Sequence, residues 1–119
     1  MQSYKDLIVW KKSVELVTLI YALTTSFPKS EQFGLTSQIR RAVVSIPANI
    51  AEGYARKHRA EYIQFLRIAF GSGAEIETYL VLIKNLRLAN ESSLQEVESL
   101  LNEVMRMLNA LLGSLVAKP

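Results

Sequence analysis

The chain has 119 residues, 50% of them hydrophobic, with a formal net charge of +3, three prolines, five glycines and no cysteine. This length suits a single domain over residues 1–119, and the composition favours long helices over disorder. The lack of cysteine excludes disulfides and thiolate metal sites, and no apolar run approaches the roughly 18 residues of a membrane span. With no signal-peptide pattern at the N-terminus, we expect a cytoplasmic protein that does not enter a membrane.

The first predicted helix covers about residues 6–25. Its apolar stripe repeats at three- and four-residue steps through Trp10, Val14, Val17 and Tyr21. Ser3 and Asp6 form a candidate capping signal at its start. The step into Pro28 ends it, because a residue before proline avoids the α region.

The second predicted helix begins after Ser30, which can cap it, and continues to about Lys57. Pro47 lies inside it. Because proline lacks a backbone donor and crowds the carbonyl of Val43, we expect a kink there.

The third and fourth predicted helices cover about residues 59–89 and 93–116. Gly71 and Gly73 lower the helix propensity of the third, which close approach of a neighbouring helix would offset. Ser93 and Glu96 match a capping box at the start of the fourth. Short connections make sequential helices antiparallel, so the pattern predicts an all-α, up-down-up-down four-helix bundle. The apolar excess further indicates a subunit interface.

A polar stripe runs along the second helix among apolar neighbours. Its members, at three- and four-residue steps, are Arg41, Ser45, Asn49, Glu52 and Arg56. Ser72, Glu75 and Tyr79 share a face of the third helix in the same way. One interpretation is an acid/base site that uses Glu52 or Glu75. The favoured one is a satisfied structural network that fixes helix register or an oligomer contact, formed by Arg41, Ser45, Asn49, Glu52, Ser72 and Glu75.

Known catalytic and metal patterns are missing from the sequence. A di-iron bundle needs two Glu-x-x-His motifs, whereas this chain has a single histidine, His58, in the pattern His58-x-x-Glu61. Gly71-Ser72-Gly73 lies inside a helix and does not form a nucleophile elbow, and no phosphate loop or dinucleotide fingerprint occurs. We therefore predict no catalytic residue, metal, cofactor or small-molecule substrate.

Basic residues cluster between the second and third helices, in the run Arg56-Lys57-His58-Arg59, with Arg40 and Arg67 as possible additions. Such a cluster is a candidate contact to the phosphate backbone of RNA or DNA. The alternative is a solvated turn, in which the cations interact favourably with the dipole at the C-terminus of the second helix. No aromatic platform for single strands is evident beside it.

Three segments carry a family resemblance: Asp6-Leu7-x-x-Trp10, Ser45-x-Pro47-x-Asn49-Ile50-Ala51-Glu52-Gly53, and Phe65-Leu66-x-Ile68-Ala69-x-Gly71-Ser72-x-x-Glu75. Together they resemble the bacterial 23S rRNA-intervening-sequence proteins, also called S23 ribosomal protein-like. One departure is His58, where the family often has the better helix caps Ser or Thr.

The resemblance implies an up-down four-helix bundle that assembles into a ring-like homopentamer, with no established enzymatic activity. Some members are encoded within insertions in 23S rRNA genes. A related branch, the accessory variability determinant of diversity-generating retroelements, partners a reverse transcriptase and nucleic acid. We thus expect a non-enzymatic oligomer, pentameric by preference, that associates with RNA or a nucleoprotein. The alternatives are an adaptor that docks an acidic protein and an enzyme that uses Glu52 and Glu75.

Overall fold

The periodic apolar stripes form four α-helices within residues 3–118, the part of the chain that the computed structural model describes. The helices are α1 (Ile8–Thr24), α2 (Leu35–Ala55), α3 (Arg59–Asn85) and α4 (Glu91–Val116). Each packs against two neighbours, α1 and α3 both lying between α2 and α4. The result is an up-down-up-down bundle of 48 × 22 × 21 Å, which confirms the predicted fold class. Within the described residues, no helix is long and apolar enough to cross a membrane.

The core lies along the bundle axis and draws on all four helices. Its fully buried members include Leu16, Ile20, Ile39, Ile46, Ile50, Leu66, Ile76, Ile83, Leu101 and Leu108. They recur at the three- and four-residue steps of the apolar stripes, which is why each helix turns one face inward. Burial of each such side chain stabilises the fold by about 1.5–3 kcal/mol before the entropy of ordering is subtracted.

Two glycines mark places where helices come close together. A Cβ atom at Gly53 of α2 would lie 2.7 Å from Cβ of Phe65 on α3, and one at Gly73 would lie 2.1 Å from Sδ of Met105 on α4. Gly71, by contrast, has open space where its Cβ would be. The expectation that both glycines of α3 admit a neighbouring helix therefore holds for Gly73 alone within this chain.

Helix starts differ from the prediction where two capping signals compete. Ser3 and Asp6 do form a capping box, but it caps the start of a 3₁₀ turn over Tyr4–Asp6, and α1 begins only at Ile8. The predicted box of Ser93 with Glu96 is wrong. Asn90 is the N-cap of α4, and its side-chain oxygen accepts from the Ser93 backbone N–H at 2.9 Å.

The start of α2 also differs. Ser30 lies within a second 3₁₀ turn, Lys29–Glu31, and α2 begins at Leu35. The side chain of Glu31 accepts from the Leu35 backbone N–H at 3.2 Å, so a carboxylate rather than Ser30 satisfies one of the donors at the start of α2. The helix runs without a break through Pro47, and the kink there stays a prediction.

Candidate nucleic-acid interface

The basic turn, residues 56–59, is the three-residue connection from α2 to α3 together with the first residue of α3. Lys57 has a φ of 55°, the left-handed conformation that commonly ends a helix. His58 follows in extended conformation as the N-cap of α3, without a side-chain capping bond. Its imidazole Nδ1 lies 3.8 Å from a carboxylate oxygen of Glu61. The lack of a side-chain capping bond from His58 agrees with the expectation that histidine caps poorly.

Arg56 is exposed but paired with two carboxylates of the protein. Its guanidinium donates to Glu52 at 2.9 Å and to Glu61 at 3.3 Å, and it lies 5.1 Å from the centre of the Phe65 ring. The hydrogen bond to Glu52 is the main reason that the pKa of Arg56 is raised. Both carboxylates offset its charge, so Arg56 serves to join α2 to α3 rather than to attract an anion.

Lys57 and Arg59 are both exposed, and the fold brings Lys118, just beyond the end of α4, to the same place. These cations surround a cavity of about 390 Å³, which we call the turn groove. Its lining consists of Gly53, Tyr54, Lys57, His58, Arg59, Tyr62, Leu115 and Lys118. No carboxylate is among these lining residues. The turn groove therefore combines an apolar and aromatic wall with a basic rim.

Tyr54 and Tyr62 form the aromatic part of that wall. Their rings meet edge to face, with centroids 5.9 Å apart and planes at 88°. The hydroxyl of Tyr62 is buried and has no hydrogen-bond partner among residues 3–118. Burial, with a smaller contribution from Tyr54, raises the pKa of the Tyr62 phenol, so it stays protonated near neutral pH.

The other two predicted cations are not part of this cluster. Arg40 lies near the opposite end of α2, where its guanidinium donates to Thr24 Oγ1 at 2.8 Å and lies 4.4 Å from the centre of the Tyr21 ring. Those contacts join α1 to α2. Arg67 is exposed, about two turns along α3 from Arg59. The structure thus gathers Arg56, Lys57 and Arg59 at one end of the bundle, with Arg40 elsewhere.

Half of the predicted polar network comes together at the middle of α2 and α3. The hydroxyl oxygens of Ser45 and Ser72 lie 2.8 Å apart, across the two helices. Asn49 donates to the Ser45 carbonyl at 2.7 Å and to its hydroxyl at 2.9 Å. A one-turn slip of either helix would separate these groups, so they help to specify the register.

The remaining network residues make separate surface contacts. Glu52 pairs with Arg56, Glu75 accepts from the Tyr79 hydroxyl at 2.9 Å, and Arg41 donates to Gln38. The bond to Glu75 is also the main reason that the pKa of Tyr79 is raised. Ser45 and Ser72 lie at the same height in the bundle. Along α2, Glu52 lies seven residues from Ser45 in the direction of the basic turn. Along α3, Glu75 lies three residues from Ser72 in the opposite direction. At 1.5 Å per residue, the two carboxylates are separated by about 15 Å along the helix axes.

Metal-binding groups do not cluster within residues 3–118, where no set of three His, Cys, Asp or Glu side chains could hold an ion. The groove between α2 and α3, about 380 Å³ in volume, contains Glu75 and Arg41 but not Glu52. The two glutamates proposed as an acid/base pair therefore do not share a site.

Sequence reasoning missed Tyr54, Tyr62, Leu115 and Lys118. The two tyrosines stand four residues before and four residues after His58, so an antiparallel turn centred there places them side by side. That symmetry was a usable signal. Lys118 and Leu115 belong to no local motif, because their position depends on how α4 packs against the rest of the bundle.

Comparison with known proteins is decisive for the family. The model of the 23S rRNA-intervening sequence protein family matches residues 5–110. The chain belongs to this family. Its similarity extends to a crystal structure from Bacteroides thetaiotaomicron, described as a protein of unknown function from the S23 ribosomal protein family. That structure is 26% identical, with a TM-score of 0.82, and the match covers 89% of this chain and 96% of the other. Comparison with curated proteins gives no match.

Proposed function

We propose that this 23S rRNA-intervening sequence protein is a non-enzymatic oligomeric accessory, pentameric and cytoplasmic, that binds RNA through its basic turn. The observation that carries the proposal is the convergence of Lys57, Arg59 and Lys118 around a groove whose lining, within residues 3–118, includes no carboxylate side chain. Exposed cations held at one end of a rigid bundle favour contact with successive phosphates.

The oligomeric part rests on an apolar strip along α2 and α3. Ile68 of α3 is 48% exposed and lines the groove that contains Ser45 and Ser72, and Val44, the residue before Ser45 on α2, is 42% exposed. Gly71 lies one turn from Ile68 on the same side of α3 and has nothing within 4 Å of its Cβ position. A glycine open to solvent costs about 1 kcal/mol of helix propensity, which close packing of a second copy would offset.

The non-enzymatic part is supported by the separation of the two candidate carboxylates. Glu52 accepts a hydrogen bond from Arg56, and Glu75 accepts one from Tyr79. The two glutamates are about 15 Å apart along the helix axes. General acid/base catalysis needs such groups within hydrogen-bond reach of one substrate.

RNA binding is tested by fluorescence anisotropy with a labelled structured RNA at several salt concentrations. The variant Lys57→Ala/Arg59→Ala removes two cations from the basic turn, so we expect weaker binding and a salt slope smaller by about two. The control Lys29→Ala/Arg87→Ala removes the same charge from exposed positions at the other end of the bundle. Equal weakening by both variants, or no binding at low salt, would contradict the proposal; the second result would favour the acidic-protein adaptor.

Assembly is tested by light scattering coupled to size exclusion. We expect the wild type to elute as a pentamer and Val44→Glu/Ile68→Glu to dissociate, because carboxylates would then be buried between subunits. Val81→Glu is the control, since Val81 is 58% exposed on α3 but does not line the groove that contains Ser45 and Ser72. A wild-type monomer at all concentrations would overturn the oligomeric part.

A further inference from the structure

We propose that the turn groove binds one unstacked nucleobase of a single-stranded RNA segment, with the neighbouring phosphates on its basic rim. This inference rests on the proposed RNA-binding function and assigns it a site. It concerns the cavity lined by Tyr54, Tyr62 and Leu115, rather than the exposed cations alone.

The size and composition of the turn groove suit a planar aromatic ligand. Its volume of about 390 Å³ falls within the roughly 300–1,000 Å³ typical of small-molecule sites. Gly53, which has no side chain, together with Leu115 and the two tyrosines, gives it an apolar lining. Because Tyr54 and Tyr62 meet at 88°, their ring planes cannot both lie parallel to one base. One ring can stack on the base while the other contacts its edge.

The rim supplies the charge that a nucleotide needs. Lys57, Arg59 and Lys118 come from three separate places, namely the connection after α2, the start of α3 and the segment just beyond α4. They border the same apolar cavity, and none of its lining residues in the described part of the chain carries a carboxylate that would repel a phosphate. A nucleotide therefore suits both parts of the site, with its base against the apolar wall and its phosphates at the basic rim. An acidic peptide would match the rim, but a single-stranded RNA carries a flat aromatic base beside every negative charge along its chain.

The experiment compares two labelled single-stranded RNAs of equal length and charge, one with all bases and one abasic throughout its central segment. Anisotropy titrations of the full-length protein give both affinities. If a base enters the turn groove, the intact RNA binds about 5- to 100-fold more tightly than the abasic one, as expected for base–aromatic stacking. This comparison needs no variant, so it does not depend on whether a substituted protein folds.

Variants then locate the effect. Tyr54→Leu keeps an apolar side chain but removes the π face, and we expect it to bring the ratio of the two affinities toward one. Tyr21→Leu is the matched control, since Tyr21 also lies beside an arginine but toward the other end of the bundle. It should leave the ratio unchanged.

The outcomes separate this inference from the proposed function. Equal affinity for intact and abasic RNA would overturn base binding but would still be consistent with contact to the phosphates. An acidic peptide would then be the better candidate ligand for the turn groove. A base preference that persists in Tyr54→Leu would also overturn it, because the base would then bind elsewhere. Failure to bind either RNA at low salt would overturn both the site and the function.

Discussion

Replacement of Gly53 by alanine tests how closely α2 and α3 are packed beside the basic turn. The new methyl would lie 2.7 Å from Cβ of Phe65 and 3.1 Å from Cδ1 of Tyr62. A Cβ atom is fixed to its backbone, so rotation of the Phe65 side chain cannot relieve the first contact. The helices must separate, which loosens the contacts on both sides of them.

The expected magnitude follows from two opposing terms. Overpacking costs about 1–3 kcal/mol, and a contact that only a backbone shift can relieve belongs at the upper end. Alanine recovers about 1 kcal/mol of helix propensity. We therefore expect Gly53→Ala to lower the free energy of unfolding by about 2 kcal/mol. Gly113→Ala is the control, because nothing lies within 4 Å of that Cβ position, and it should stabilise by up to about 1 kcal/mol.

Urea unfolding followed by circular dichroism measures both variants, at several protein concentrations so that assembly is separated from folding. The two midpoints should move in opposite directions with unchanged m values. Equal stabilisation by Gly53→Ala and Gly113→Ala would show that α2 and α3 are farther apart than the structure places them.

Two further changes address the basic turn and the buried phenol. Lys57 and Arg87 both have left-handed backbone conformations, with φ of 55° and 56°. Glycine at either position should raise the free energy of unfolding in urea by about 1 kcal/mol. RNA affinity should fall only for Lys57→Gly, and an equal fall for Arg87→Gly would contradict the placement of the site. Tyr62→Phe should stabilise by about 1 kcal/mol, since it removes a buried hydroxyl that has no partner among residues 3–118, and any loss of stability would reveal a partner for that group. The raised pKa of Tyr62 means that the unfolded chain releases this proton first, so its contribution to stability is full below about pH 10 and is lost as pH rises through the folded pKa. The decline of wild-type stability above pH 10 should therefore be shallower in Tyr62→Phe.

The four helices could be predicted because an apolar period near 3.6 has one structural solution over lengths of this kind. The starts of α1, α2 and α4 could not, because several residues near each of them are able to cap, whereas the predicted start of α3 at residue 59 agrees with the structure. Asn90 and Ser93 both suit the start of α4, and only the backbone geometry of the folded chain selects Asn90. Similarly, the signal at Ser3 and Asp6 was identified correctly but belongs to a 3₁₀ turn.

Site residues follow the same division between local and distant contacts. The basic turn is contiguous in sequence and was visible there, as were Ser45 and Ser72 as polar interruptions of apolar stripes. The pairing of Arg56 with Glu52 and Glu61 was not visible, since in the sequence Arg56 has the same type of charge as its neighbours. The contribution of Lys118 depends on the packing of α4, which no local pattern encodes.

The short connection between α2 and α3 also bears on the order in which the bundle folds. A loop of three residues closes with little loss of chain entropy, whereas the ion pair of Lys12 with Glu103 joins helices from the two ends of the chain. We expect α2 and α3 to pair first and α1 and α4 to dock onto them. In stopped-flow measurements, Ser72→Ala should then slow refolding, while Leu16→Ala should mainly accelerate unfolding; the reverse pattern would exclude this order. The turn that carries the proposed binding site would accordingly be among the first parts of the molecule to take shape.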